Sequence, residues 1–201
     1  MKPCKPHIAA WGLLLVCATP PAVAVTMVSS DFDSLCAKAE AAVHATVVRQ
    51  ELLPPQGSIT APRMCYELKV VSQLDSRPAL AANPRICYLG DLVSPAKTVV
   101  AGIRYPVVGE TGVFLIKSPN NDAVISPLQG YNQGQFMVRK AAGRDAVFTA
   151  RGAAVCGFDA RLRSGSLDGE VADGLVTEAA KQRCQAMPLT TFAERIRQCR
   201  R

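Results

Sequence analysis

Along the middle of the chain the apolar residues follow a period of two. In Met64-Cys65-Tyr66-Glu67-Leu68-Lys69, Tyr66 and Leu68 fall on one face of a strand, and Cys65, Glu67 and Lys69 on the other. β-Branched Val43, Val47 and Val48 predict an earlier strand that Pro54-Pro55-Gln56-Gly57 ends. Further strands are predicted around Ile86 to Leu89, from Lys97 to Ile103, over Gln135 to Arg139 and over Ala146 to Thr149, the last two joined through Gly143. Val113-Phe114-Leu115-Ile116 follows the turn Gly109-Glu110-Thr111-Gly112, and a strand this uniformly apolar is expected to be covered on both faces. Short strands at this spacing predict an all-β barrel or sandwich.

Helical patterns flank these strands. From Asp31 the chain predicts a short helix, with Asp33 or Ser34 as N-cap and Leu35, Ala39 and Ala42 on one stripe. The stretch Asp168 to Met187 reads as helical and Pro188 interrupts it. Thr191 and Glu194 then have capping-box spacing, and Phe192 and Ile196 form a stripe that packs a final helix back on the sheet. The expected organisation is residues 1–24 as a signal peptide, 25–160 as the β-barrel domain and 161–201 as a helical tail.

The N-terminus sets the compartment. Lys2 and Lys5 precede an apolar stretch from Ile8 to Val16, and Ala22-Val23-Ala24 has the small-x-small form of a signal-peptidase site. The apolar run is shorter than the roughly 20 residues that span a bilayer, and Pro20-Pro21 follow it. Lipid attachment at Cys17 is disfavoured by Val16, where a small residue is expected. The protein is thus expected to be exported, periplasmic or secreted, with no integral membrane segment after cleavage.

The full chain has 201 residues, 49% hydrophobic and 19% charged, with 23 Lys and Arg against 16 Asp and Glu for a net charge of +7. Loss of Lys2 and Lys5 with the signal lowers that to +5. It also removes Cys4 and Cys17 of the eight cysteines, leaving Cys36, Cys65, Cys87, Cys156, Cys184 and Cys199. An even count outside the cytoplasm predicts three disulfides. Zinc is not implied, because the nearest of these, Cys184 and Cys199, are 15 positions apart and no close ligand pair exists. The pattern favours Cys65 with Cys87 on neighbouring strands, Cys184 with Cys199 stapling two helices, and Cys36 with Cys156 tying the start of the domain to its end.

Catalytic chemistry finds little support. His44 is the one histidine beyond the signal, it lies in a strand, and no G-x-S-x-G turn accompanies it. Asp31 with Asp33, and Asp168 with Glu170 and Asp173, read as solvated helix starts. No phosphate loop, calcium loop or cofactor is implied. Arg195, Arg197, Arg200 and Arg201 form a terminal basic cluster, readable as a solubilising helix face or as a contact for anionic polymer. The compartment and thinly spread aromatics argue against nucleic acid. Candidate protein-binding residues are Arg104, Tyr105 and Tyr131, on loops between strands.

Gly102, Pro106 and Gly109-Glu110, then Val113-Phe114-Leu115-Ile116, then Gly130, Gly134, Phe136 and Val138 form an ordered set. Together with the Leu35 to Glu40 helix entering a valine-rich strand and the Leu189 to Ile196 helix, this set resembles exported bacterial proteins with a netrin-like domain, the fold of the tissue inhibitors of metalloproteinases. The resemblance implies a mainly β fold with flanking helices, an OB-like (netrin/TIMP-like) five-stranded barrel plus a C-terminal helical tail. Such barrels host inhibitors, adaptors and nucleic-acid binders alike. The animal inhibitors chelate the protease zinc with an N-terminal cysteine; here the processed chain is expected to begin at Val25, with Cys36 inside a helix, so no inhibitory residue carries over. The expected function is a non-catalytic, disulfide-bonded module that engages an envelope or secreted protein, with a protease among the candidate partners. The alternatives are an envelope-structural protein that uses its basic C-terminal helix on anionic cell-wall material, and a hydrolase using His44.

Overall fold

The computed structural model describes residues 28–75, 80, 83–117, 124–164, 170–181 and 184–200. The expected signal peptide, Asp168 and Arg201 lie outside these. The described residues form strands β1 (Ala41–Leu53), β2 (Arg63–Gln73), β3 (Arg85–Leu89), β4 (Thr111–Ile116), β5 (Gln135–Ala141), β6 (Arg144–Thr149), β7 (Val155–Phe158) and β8 (Leu175–Thr177), with helices α1 (Phe32–Lys38) and α2 (Leu189–Cys199). The described residues are mainly β with two α-helices, as the alternation predicts.

One antiparallel sheet runs in the order β3-β2-β1-β4-β5-β6, and β7 and β8 form a separate pair. At β4 the sheet is buried on both faces, which explains why that strand is wholly apolar. Phe114 and Ile116 join Val43, Val47, Tyr66, Leu68, Ile86 and Tyr88 on the inner face. Val113 and Leu115 point the other way, to a core built with Phe136 and Val147 under α1 and α2. Phe192 of α2 sits at its centre, its ring centroid 4.8 Å from Phe136 and 5.5 Å from Phe32. Sequence had placed Phe192 and Ile196 on the packing stripe, and both are buried. The helix nevertheless starts at Leu189 after Pro188, so the Thr191–Glu194 spacing does not cap it. At α1 the cap is Asp31, whose carboxylate accepts from the Ser34 N–H at 2.9 Å, in place of the expected Asp33 or Ser34.

Among the described residues no strand ladder joins β3 to β5 or β6, and no closed barrel is found. Loops span the open side. The Leu89 N–H donates to the Ile125 carbonyl at 3.1 Å, and the Leu89 carbonyl accepts from the Tyr105 hydroxyl at 2.6 Å. β3 ends there because Gly90, at φ +133, lies beneath Tyr105: an added Cβ would sit 2.5 Å from its hydroxyl. The stretch expected as a strand from Lys97 to Ile103 belongs to this loop, with one bridge, Asp91 to Thr98. Residues expected to be helical before Pro188 instead supply β8, where Leu175-Val176-Thr177 pairs with Val155 to Phe158. The boundary expected at residue 160 therefore falls inside a β-pair.

Cys65 and Cys87 are bonded across β2 and β3, as the pattern predicts, from directly opposed positions 4.0 Å apart at Cα. The other two pairings differ. Cys36 is bonded to Cys199 and Cys156 to Cys184, not Cys184 to Cys199 or Cys36 to Cys156. The reason is tertiary: α1 and α2 pack side by side on the sheet, and β7 leads Cys156 past the segment that carries Cys184. All three bonds fit a disulfide-bonded, exported protein. Among the described residues no helix is long and apolar enough to cross a membrane.

Candidate binding surface

The loops carrying Arg104 and Tyr131 meet at one end of the sheet. Asn132, buried in the short 3-10 turn Tyr131–Gly134, accepts from the Arg104 N–H at 2.8 Å and donates to the Gly102 carbonyl. The turn is set up by Gly130, whose φ of +67 and packing against Leu35 exclude a side chain. Arg104 then turns its guanidinium to Glu110 in a two-pronged ion pair, the Nη1 to Oε1 distance being 2.8 Å. Gln135 donates to the same Glu110 oxygen at 3.2 Å, and Arg104 and Arg139 both approach the Met137 sulfur. Asn132 and Gln135 were not singled out from sequence, and Glu110 was noted only as part of the Gly109-Glu110 turn. A shallow cleft of about 260 Å³ lies between Glu110 and Arg139.

This geometry changes the roles of the candidate residues. Arg104 is a latch between two loops, and Tyr105 is a closing bolt against β3 whose hydroxyl also accepts from the Val100 N–H at 3.2 Å. Burial raises the pKa of Tyr105, and raises those of Tyr66 and Tyr88 beneath it further, so all three stay protonated and neutral. Tyr131 is half-buried, at a φ of +58. In these loops Val99, Val107 and Val108 are exposed, the last two at 60% and 47%.

The remaining candidates lie elsewhere. His44 stands on the helix-covered face of β1, between Ser72 of β2 and Val113 of β4. Burial lowers its pKa, with the Asp145 charge acting weakly the other way. Among the described residues no hydrogen bond joins His44 to Ser72 or Asp145, and Asp145 pairs with Lys140 at 3.0 Å. The acidic residues serve local structure: Asp33 pairs with Arg195, Glu170 with Arg151, and Asp173 accepts from the Ser164 N–H at 2.8 Å, a bond that holds its carboxyl below the usual range. No group of His, Cys, Asp and Glu among the described residues could hold a metal. A larger recess, about 760 Å³, opens beside Cys156–Cys184 and is lined by Phe158, Val176 and Lys181.

The C-terminal basic cluster is not a uniform surface. Arg195 lies over Phe158 while paired to Asp33, and Arg197 is exposed. Arg200 is buried against Asp75 at 2.6 Å, each side chain 1% exposed. It donates to the carbonyls of Cys36, Ala39 and Glu40 at 2.8, 2.6 and 3.1 Å, closing the C-terminal end of α1 with a cation. No protein-family model, curated protein or solved structure matches the chain.

Proposed function

We propose that this chain is a non-catalytic binding module, exported and disulfide-bonded, that engages an envelope or secreted protein through the loop end bearing Val107, Val108 and Tyr131. The carrying observation is the latch of Arg104, Glu110, Asn132 and Gln135, which fixes two loops while leaving valines exposed. Apolar side chains held out by a rigid polar frame suit recognition, because little ordering remains to be done on binding. We read the sheet as an OB-like barrel of the netrin/TIMP-like kind, opened between its third and fifth strands. The order β3-β2-β1-β4-β5, with a long β1 shared between both halves, supports that reading. A protease is the partner class to which the sequence resemblance points.

The test is capture from envelope and secreted fractions with the oxidised chain from Val25 to Arg201 as bait and a reduced, alkylated control. One partner held only by the oxidised protein, and lost on Val107→Asp with Val108→Asp, supports the reading. Capture that survives the double substitution places recognition elsewhere. The burial of Arg200 and the pairing of Arg195 speak against the basic-helix alternative.

A further inference from the structure

β1 changes character along its length. From Val43 to Thr46 it is paired on both edges, to β2 and to β4. Val47 is still bonded to Gly109 and Glu110. Beyond a bulge at Val48, residues Arg49 to Leu53 pair with β2 alone.

The register fixes which backbone groups face the open side. Leu68 N–H donates to the Pro84 carbonyl at 3.0 Å and Gly90 N–H to the Pro62 carbonyl at 2.9 Å, so even-numbered residues of β2 bond to β3. Arg63, Cys65 and Glu67 therefore bond to their β1 partners Leu53, Glu51 and Arg49. Gln50 and Leu52 are left with N–H and C=O directed outward, and among the described residues no backbone hydrogen bond reaches them there.

Open edges commonly carry a proline, an inward charge or a covering loop that prevents pairing with another chain. From Val48 to Leu53 there is no proline, and the charges are self-complementary instead. Arg49 and Glu51 flank Gln50 on one face, 3.4 Å apart and 64% and 44% exposed. We propose that this edge pairs antiparallel with the same edge of a second copy, about a two-fold axis through Gln50. Arg49 then stands opposite Glu51 of the second copy. The charged pairs fall at non-hydrogen-bonded positions, where opposed side chains come closest. They also continue an alternation already present across the sheet, since Arg85, Glu67 and Arg49 are successive cross-strand neighbours. Isologous pairing of this kind closes at two copies and removes both open edges.

The experiment is sedimentation velocity on the oxidised mature chain over a micromolar concentration series, with circular dichroism to confirm folding of each variant. Wild type is expected to show a reversible dimer. Arg49→Glu and Glu51→Arg alone each place like charges opposite one another and should weaken dimerisation by about tenfold or more. The combined exchange restores opposite charges and should recover it. A wild type that stays monomeric throughout, single reversals that leave the dimer intact, or a double exchange that fails to rescue would each overturn the proposal.

Discussion

The helix-covered face and the loop end of this molecule are secured by opposite means. Under α1 and α2 the contacts are apolar and covalent: Phe32, Phe136 and Phe192 interlock, Cys36 is bonded to Cys199, and Arg200 meets Asp75 out of water. At the loop end the work falls to Arg104, Glu110, Asn132 and Gln135, partly in reach of solvent. Burial gives strength without display, whereas a polar latch near the surface gives position while leaving neighbouring valines free. The first region should thus control global stability and the second local order.

The largest effect is expected at the buried ion pair. Asp75→Ala leaves the Arg200 charge buried beside three carbonyls and should cost about 3–5 kcal/mol, read from the urea midpoint. A loss below about 1 kcal/mol would show that the helix-covered face does not depend on this contact. Cys36→Ser with Cys199→Ser comes next, at about 2–4 kcal/mol, because the closed loop is long. Arg104→Ala should cost about 1–3 kcal/mol, toward the lower end because water screens the pair. Its signature is faster hydrogen exchange at Gly102 to Glu110 and at Tyr131 to Gln135, with exchange under α2 unchanged. Equal acceleration in both regions would erase the distinction between them.

The smallest effect is a pH dependence. The folded-state pKa of His44 lies below its ordinary 6.5, so the unfolded chain binds a proton more readily. Its contribution is present above pH 6.5 and is lost as pH falls through 6.5 toward the lower folded value. His44→Asn should flatten that part of a stability-pH curve measured by denaturant unfolding. An unchanged slope would assign the dependence to other groups.

How much could be read from sequence follows a physical line. Strand alternation found Tyr66 and Leu68 on the inner face, and the apolar run Val113 to Ile116 announced a strand buried twice, because both signals are local. The pairing of Cys36 with Cys199 was not local: it depends on two helices meeting across a sheet. Arg200 was legible only as one of several terminal cations, since nothing beside it in sequence announces Asp75, and its burial follows from its neighbour Cys199 being drawn to α1. At the candidate surface, spacing found the two loops but not their bond, because Asn132 reaches Arg104 through space. The loop from Asp91 to Tyr105 looked like a strand at Lys97 to Ile103 because β-branched residues mark extended backbone whether or not a ladder forms.

The Cys36–Cys199 bond also decides how the protein bears load. It joins positions 163 apart in sequence, close to the two ends of the described chain. Tension applied between the chain termini passes through one sulfur–sulfur link and bypasses the sheet, the loop latch and the open β1 edge altogether. Reduction of that bond alone would release up to about 390 Å of contour length at extended spacing, because the other two bonds still close 22 and 28 positions within it. In the oxidised molecule the segment from Cys36 to Cys199 would not lengthen under such a pull, and the loop latch would stay intact.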